Sequence, residues 1–304
     1  MKNKINILTA LIIIIFIDGV YGQQTPVFSS YNYNAVLINP AHAGYYADTD
    51  IALTTNGYFN SVEGSPKNFD ISLNTLTWSE NVGLAAGISH DEIGVTNTTN
   101  FFASYSYKIF YDSEYKYGKW WAYDPNVISF GVTAGAMIYN ENLTQLSLEN
   151  DPEFQENVHS FTPTFGLGFL YNRDKIYFGL SAPNVLSTTF NKKNNTNLEN
   201  VYYSYFGYRV FTDRFEDVLI NPSILLKYTE GAPFQADFNL LVNYKNILEF
   251  GGGYRTSKTI NFLAGFHLSN NLRVICTYNK SLDNVVIPDT VGLVLNYRLG
   301  NGFE

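Results

Sequence analysis

The sequence predicts an all-β fold: a transmembrane antiparallel β-barrel of about 14 strands, of the outer-membrane type, with an N-terminal segment that is a candidate for packing in the lumen. Three observations predict it. Segments of about nine to eleven residues alternate apolar with small polar side chains, the period of a strand whose two faces meet different surroundings. Aromatic residues make up 16% of the chain and charged residues only 15%, where a soluble domain is about a quarter charged. After Gly22 no apolar run is long enough for a helix to cross a membrane, which leaves any crossing to strands.

The elements follow in chain order. Residues 1–22 read as a secretory signal peptide: Lys2 and Lys4 supply the charge, Ile7 to Ile17 the apolar stretch, and Val20 with Gly22 the small-residue cleavage rule. The apolar run is too short for a membrane helix and Asp18 interrupts it. The one cysteine, Cys276, lies far from the cleavage point, which speaks against a lipid-anchored amino terminus and against a disulfide framework. The net charge is −8, and loss of Lys2, Lys4 and Asp18 with the leader makes the chain more acidic, which argues against a nucleic-acid partner.

Residues 23–49 neither alternate cleanly nor carry much charge. Two readings fit them. One is a loosely ordered periplasmic tail; the other is a plug whose aromatic, amide and turn residues, Phe28, Tyr31, Tyr33, Asn39, Pro40 and Gly44, pack into a lumen lined with small polar groups.

Residues 50–304 are read as the barrel. The strand "NFDISLNTL" (Asn68 to Leu76) shows the pattern, with Phe69, Ile71, Leu73 and Thr75 on one face and Asn68, Asp70, Ser72 and Asn74 on the other. Before it comes Ile51 to Gly57. After it come Val82 to Ser89, Phe101 to Ile109, Ile128 to Ile138, Phe161 to Tyr171 and Ile176 to Leu180. The second half adds Tyr202 to Val210, Ile220 to Tyr228, Phe234 to Tyr244, Leu248 to Tyr254, Ile260 to Leu268, Leu272 to Tyr278 and Val291 to Leu299. An even number is what single-chain outer-membrane barrels need.

In a soluble sandwich the face opposite the core would carry Lys, Glu and Thr. Here it is mostly Gly, Ser, Asn and Ala, with occasional Asp70, Lys108, Asp237, Glu249 and Arg255. That face suits a crowded lumen, and the apolar face then meets lipid. Tyr139, Tyr171, Tyr228, Tyr244, Tyr278 and Tyr297 stand at strand ends, where an interfacial aromatic girdle places them. The five lumen charges suit either a satisfied internal network, the favoured reading, or a selective pore. The longer connections, Asp112 to Pro125, Asn140 to His159 and Thr188 to Asn200, are expected outside, where an external partner binds, and the tight turns in the periplasm.

Several stretches carry a family resemblance. They are "FSSYNYNAVLINPAHAG" (Phe28 to Gly44), "GSPKNFDISLNT" (Gly64 to Thr75), "NVGLAAGISHDEIGVTNTTNFFASYSY" (Asn81 to Tyr107), "DPEF" (Asp151 to Phe154), "YFGLSAPNVL" (Tyr177 to Leu186) and "GAPFQADFNLLVNYKN" (Gly231 to Asn246). Together they resemble the PorP/SprF family of type IX secretion system membrane proteins, in order through essentially the whole mature chain. The resemblance implies an outer-membrane barrel linked to export and surface attachment of a secreted cargo, in some members a gliding adhesin, with periplasmic secretion-system components as further partners and membrane lipid around the wall. "SSYNYN", where a Gln and a Met are usual, and the short "NGFE" tail depart from the family pattern. The alternative function is a passive channel for small solutes.

Chemistry is not expected. His42, His90, His159 and His267 have no ligand spacing, so neither a metal nor a cofactor is predicted. Asp91 and Glu92 adjoin His90 but read as a turn between strands. No serine sits in a nucleophile elbow, and Cys276 falls on the oily face as an inert residue. An enzyme would need lumen residues brought together only in space.

Overall fold

The computed structural model describes residues 29–58, 64–111, 126–146, 155–173, 175–185, 200–212, 217–282 and 289–303. The predicted leader peptide and Phe28 therefore lie outside the described residues.

One antiparallel sheet closes on itself. Its strands are β1 (Asp50–Tyr58), β2 (Lys67–Leu76), β3 (Val82–Ile93), β4 (Thr96–Phe110), β5 (Asn126–Glu141), β6 (Val158–Arg173), β7 (Ile176–Asn184), β8 (Val201–Tyr208), β9 (Val210–Phe211), β10 (Val218–Thr229), β11 (Gln235–Tyr244), β12 (Leu248–Arg255), β13 (Thr259–Ser269), β14 (Leu272–Ser281) and β15 (Thr290–Arg298). Both β8 and β9 pair with β10, and in one register. They are a single stave interrupted beside Pro222, which has no N–H for the ladder, so the barrel has 14 staves. The ring closes where β15 pairs with β1, Asp50 facing Arg298 and Tyr58 facing Thr290. Closure leaves no edge of unpaired backbone groups, which a sheet in lipid requires.

The faces are sorted opposite to those of a soluble protein. On β2, Phe69, Ile71 and Leu73 are 42%, 39% and 45% exposed, whereas Asn68, Asp70, Ser72 and Asn74 are buried inside the ring. Phe130, Val132, Phe238, Leu240, Phe250 and Phe262 likewise stand on the outside. An apolar outer wall around a polar interior is stable only against lipid. Among the described residues no helix is long and apolar enough to span, so the strands do the crossing.

The chain enters β1 and leaves β15 at the same end, called here the terminus end. The tightest connections there are 174–175, 245–247 and 270–271. Lys245 and Asn246 both take left-handed backbone angles, φ 53° and 52°, as a tight hairpin demands. Barrels of this type turn that end to the periplasm.

Three sequence expectations change. His90, Asp91 and Glu92 belong to β3 rather than to a turn; the reversal waits for Gly94, whose φ of 60° supplies it. Tyr139 has the parity of buried Met137 and lies on the lumen side of β5, since the odd positions of that strand face inward. The connection 112–125 lies outside the described residues, but it joins the terminus-end tips of β4 and β5, not the tips at the outer end.

Candidate functional site

The lumen holds residues 29–49. Three short 3₁₀ turns, Ser29–Asn32, Ala35–Leu37 and Pro40–His42, fold this stretch. The last begins on Asn39, whose side-chain oxygen accepts the Ala41 N–H at 2.9 Å, with Pro40 just inside. "NPAHAG" therefore sets its own turn before it meets the wall.

The wall is shaped to receive it. Gly83, Ser106, Gly131, Gly168 and Ser181 form one rung across β3 to β7, each directly opposite the next. A β-carbon added to Gly83 would strike the Ala43 carbonyl, one on Gly131 the Pro40–Ala41 backbone, and one on Gly168 the Asn39 amide. The plug backbone lies so close that only glycine leaves it room. Side chains on this rung and its neighbours then take up the plug carbonyls: Ser181 donates to Ile38 O at 2.7 Å, Ser129 to Ala41 O at 2.8 Å, Asn74 to His42 O at 3.2 Å and Ser106 to Ala43 O at 2.6 Å. Lys108 also donates to Ala43 O, and Gly44 N–H to Asn74. Short irregular backbone buried in a membrane protein must find such partners, because no water competes for it.

Tyr205 fixes the far side of the turn. Its hydroxyl accepts from Asn39 Nδ2 at 2.8 Å and lies 2.5 Å from His42 Nε2. The imidazole in this pair is held neutral. Burial, reinforced by Lys108 and Arg209, lowers the His42 pKa from 6.5 to about 3.

Towards the terminus end, aromatic rings and paired charges seal the mouth. Tyr33 donates to Glu249 at 2.8 Å, and Glu249 is further held by Asn243 at 3.0 Å, His267 at 3.1 Å and Arg273 at 3.4 Å. Arg273 lies 4.8 Å from the centre of the Tyr33 ring and 4.7 Å from that of Phe303, while Arg298 lies 3.7 Å from Tyr46 and 4.2 Å from Phe303. Phe303 reaches that place because Gly300 and Gly302 adopt φ of 70° and 73°, turning the tail back under the barrel, where Asn246 donates to the Phe303 carbonyl at 2.5 Å. Between plug, wall and tail remains a cavity of about 120 Å³ lined by Tyr31, Tyr33, Tyr205, Arg209, Glu249 and Phe303, among others.

Of the plug residues named from sequence, Tyr31, Tyr33, Asn39, Pro40 and Gly44 are all buried in the lumen, Tyr31 accepting from Asn239 at 3.0 Å. The five lumen charges form separate clusters rather than one network. Arg255 makes a two-pronged pair with Asp237 at 2.9 to 3.0 Å; Glu249 anchors Tyr33; Lys108 holds the plug backbone; Asp70 stands with Asn68 and Asp91. Sequence reasoning missed Tyr205, Asn74, Arg273, Arg298 and Phe303. Lumen parity marked Asn74 and Tyr205 as inward, and nothing in the sequence marked them as plug ligands.

The family described as "Type IX secretion system membrane protein PorP/SprF" matches residues 20–290. The chain belongs to the PorP/SprF family. As a PorP/SprF barrel it is similar in shape to outer-membrane proteins of remote sequence. The Pseudomonas putida toluene transporter TodX shares 10% identity, covering 90% of this chain and 94% of that one, with a TM-score of 0.48. The Acinetobacter baumannii outer membrane protein Omp33 shares 8%, covering 84% and 99%, with a TM-score of 0.45. CdiB from the same organism shares 8%, covering 83% and 60%, with a TM-score of 0.37. No curated protein matches this PorP/SprF sequence.

Proposed function

We propose that this outer-membrane PorP/SprF barrel is a closed anchor for the type IX secretion system. It binds a secreted, adhesin-type protein at its outer end, as surface attachment or as a step of export, and does so without catalysis and without conducting solutes. One observation carries the non-conducting part: the lumen is filled by the chain's own residues 29–49, bonded to the wall through their backbone. A transport route would have to break those bonds. The family supports the secretion part. The longest outer-end connections, 142–157 and 185–200, are the natural surface for cargo, with the terminus end and the 112–125 connection left for periplasmic components.

The test is mass spectrometry of what co-purifies with a tagged copy extracted from native membranes in mild detergent. A large secreted protein in fixed stoichiometry is the expected result. A barrel that emerges alone after mild crosslinking contradicts cargo binding.

A further inference from the structure

Among the described residues, two carboxylates of the upper lumen wall, Asp70 and Asp91, stand together without an ion pair. On the inward faces of β1, β2 and β3, two adjoining rungs run Asn56–Asn68–Asp91 and Thr54–Asp70–Ser89. All six side chains present oxygen. Asn68 Nδ2 lies 2.8 Å from Asp91 Oδ1 and 3.3 Å from Asp70 Oδ1, so one atom sits between both acids. Of the lumen cations, Arg255 serves Asp237 and Lys108 serves the plug.

A second observation is independent of the acids. Asn68 Oδ1, Thr54 Oγ1 and both polar atoms of the Asn56 amide are buried with no hydrogen-bond partner, on residues only 6%, 2% and 3% exposed. Thr54 stands directly across the ladder from Asp70, and Asn56 across from Asn68, at the roughly 5 Å spacing of facing side chains. Buried polar atoms left unmatched in a cluster call for a missing partner. A half-turn of the Asn68 amide exchanges its nitrogen and oxygen, and the unpartnered oxygen then joins both carboxylates around one point.

We propose that Asp70, Asp91, Asn68 and Thr54 bind a hard divalent cation of the calcium type. Calcium takes six to eight oxygen ligands at flexible angles, from carboxylates, amide carbonyls, hydroxyls and water. The set is all oxygen, carries two negative charges and contains no histidine or thiol, which fits calcium and not zinc or copper. Asp91 is only partly buried and gives the ion its way in from the outer end; Asn56 and Ser89 lie beside the site to hold coordinated water. Bound there, the cation ties three neighbouring staves together one rung above Ser72, which donates to plug residue Asn34 at 2.8 Å.

The full-length barrel, purified in detergent and stripped with a chelator, is titrated with terbium, whose emission is sensitised by nearby aromatic rings, and then with calcium. The expected result is one saturable terbium site per barrel, displaced by calcium and lost in Asp70→Asn/Asp91→Asn. If the double variant fails to show the gel mobility of a folded barrel, Asp91→Asn alone decides, with weakened terbium binding expected. Absence of a saturable, calcium-displaceable site in the wild type overturns the proposal whatever the variants do. Equal binding by wild type and a folded variant overturns it too.

Discussion

Asn39 concentrates more of the plug's attachment than any neighbour: it caps the Pro40 turn and donates to Phe169 O at 3.0 Å and to Tyr205. Asn39→Ala is expected to weaken plug docking by about 2–4 kcal/mol, a lost cap plus buried bonds left open, read as faster cleavage of residues 29–49 by added protease. Gly131→Val is expected to evict the plug outright, because the new side chain strikes the Pro40–Ala41 backbone. Gly252→Ala, where a β-carbon has ordinary room, serves as the control. His42 gives a pH dependence. Its pKa is lowered in the seated plug, so the free plug takes up more protons between pH 6.5 and about 3, and docking weakens as pH falls through that window, by about 1.4 kcal/mol per unit below 6.5. Protease access measured from pH 7 to pH 5 should rise, and His42→Gln should flatten the slope.

At the scale of the elements, the inward and outward faces were legible because strand parity needs only a period of two; the strand Asn68 to Leu76 stands in the wall, within β2, as its alternation required. Ends were less legible. β3 runs on through His90–Glu92 because polar residues are welcome on a lumen face, so polarity there does not signal a turn. Pairings across long sequence distance were not legible at all: nothing near Tyr33 announces Glu249, and the glycines of the seat read only as small residues until the register aligns them. The Glu249 cluster fastens plug, β12, β13 and β14. Glu249→Gln is expected to cost about 3–5 kcal/mol, since Arg273 stays buried without its counter-charge, and to lower the temperature at which the barrel loses its folded gel mobility. An unchanged transition would show that Tyr33 and Phe303 hold that end by packing alone.

At the scale of the whole molecule, the wall and the filling are made by one chain. The wall faces lipid with aromatic and aliphatic side chains, and the interior is occupied by the segment that precedes β1 and capped by the tail that follows β15. The segment before β1 and the tail after β15 meet at one end through Arg298, whose guanidinium lies over Tyr46 and Phe303 and bonds Asp50 at 3.2 Å. On the proposed reading the outer end holds another protein, and residues 29–49, bonded to the wall, close the lumen to solutes. Single-channel recording in planar bilayers tests this most directly, comparing the native barrel with one in which Gly131→Val has displaced the plug. The native barrel is predicted to be silent and the variant to conduct. Steady ion current through the native barrel would contradict the account and turn the reading to a solute channel.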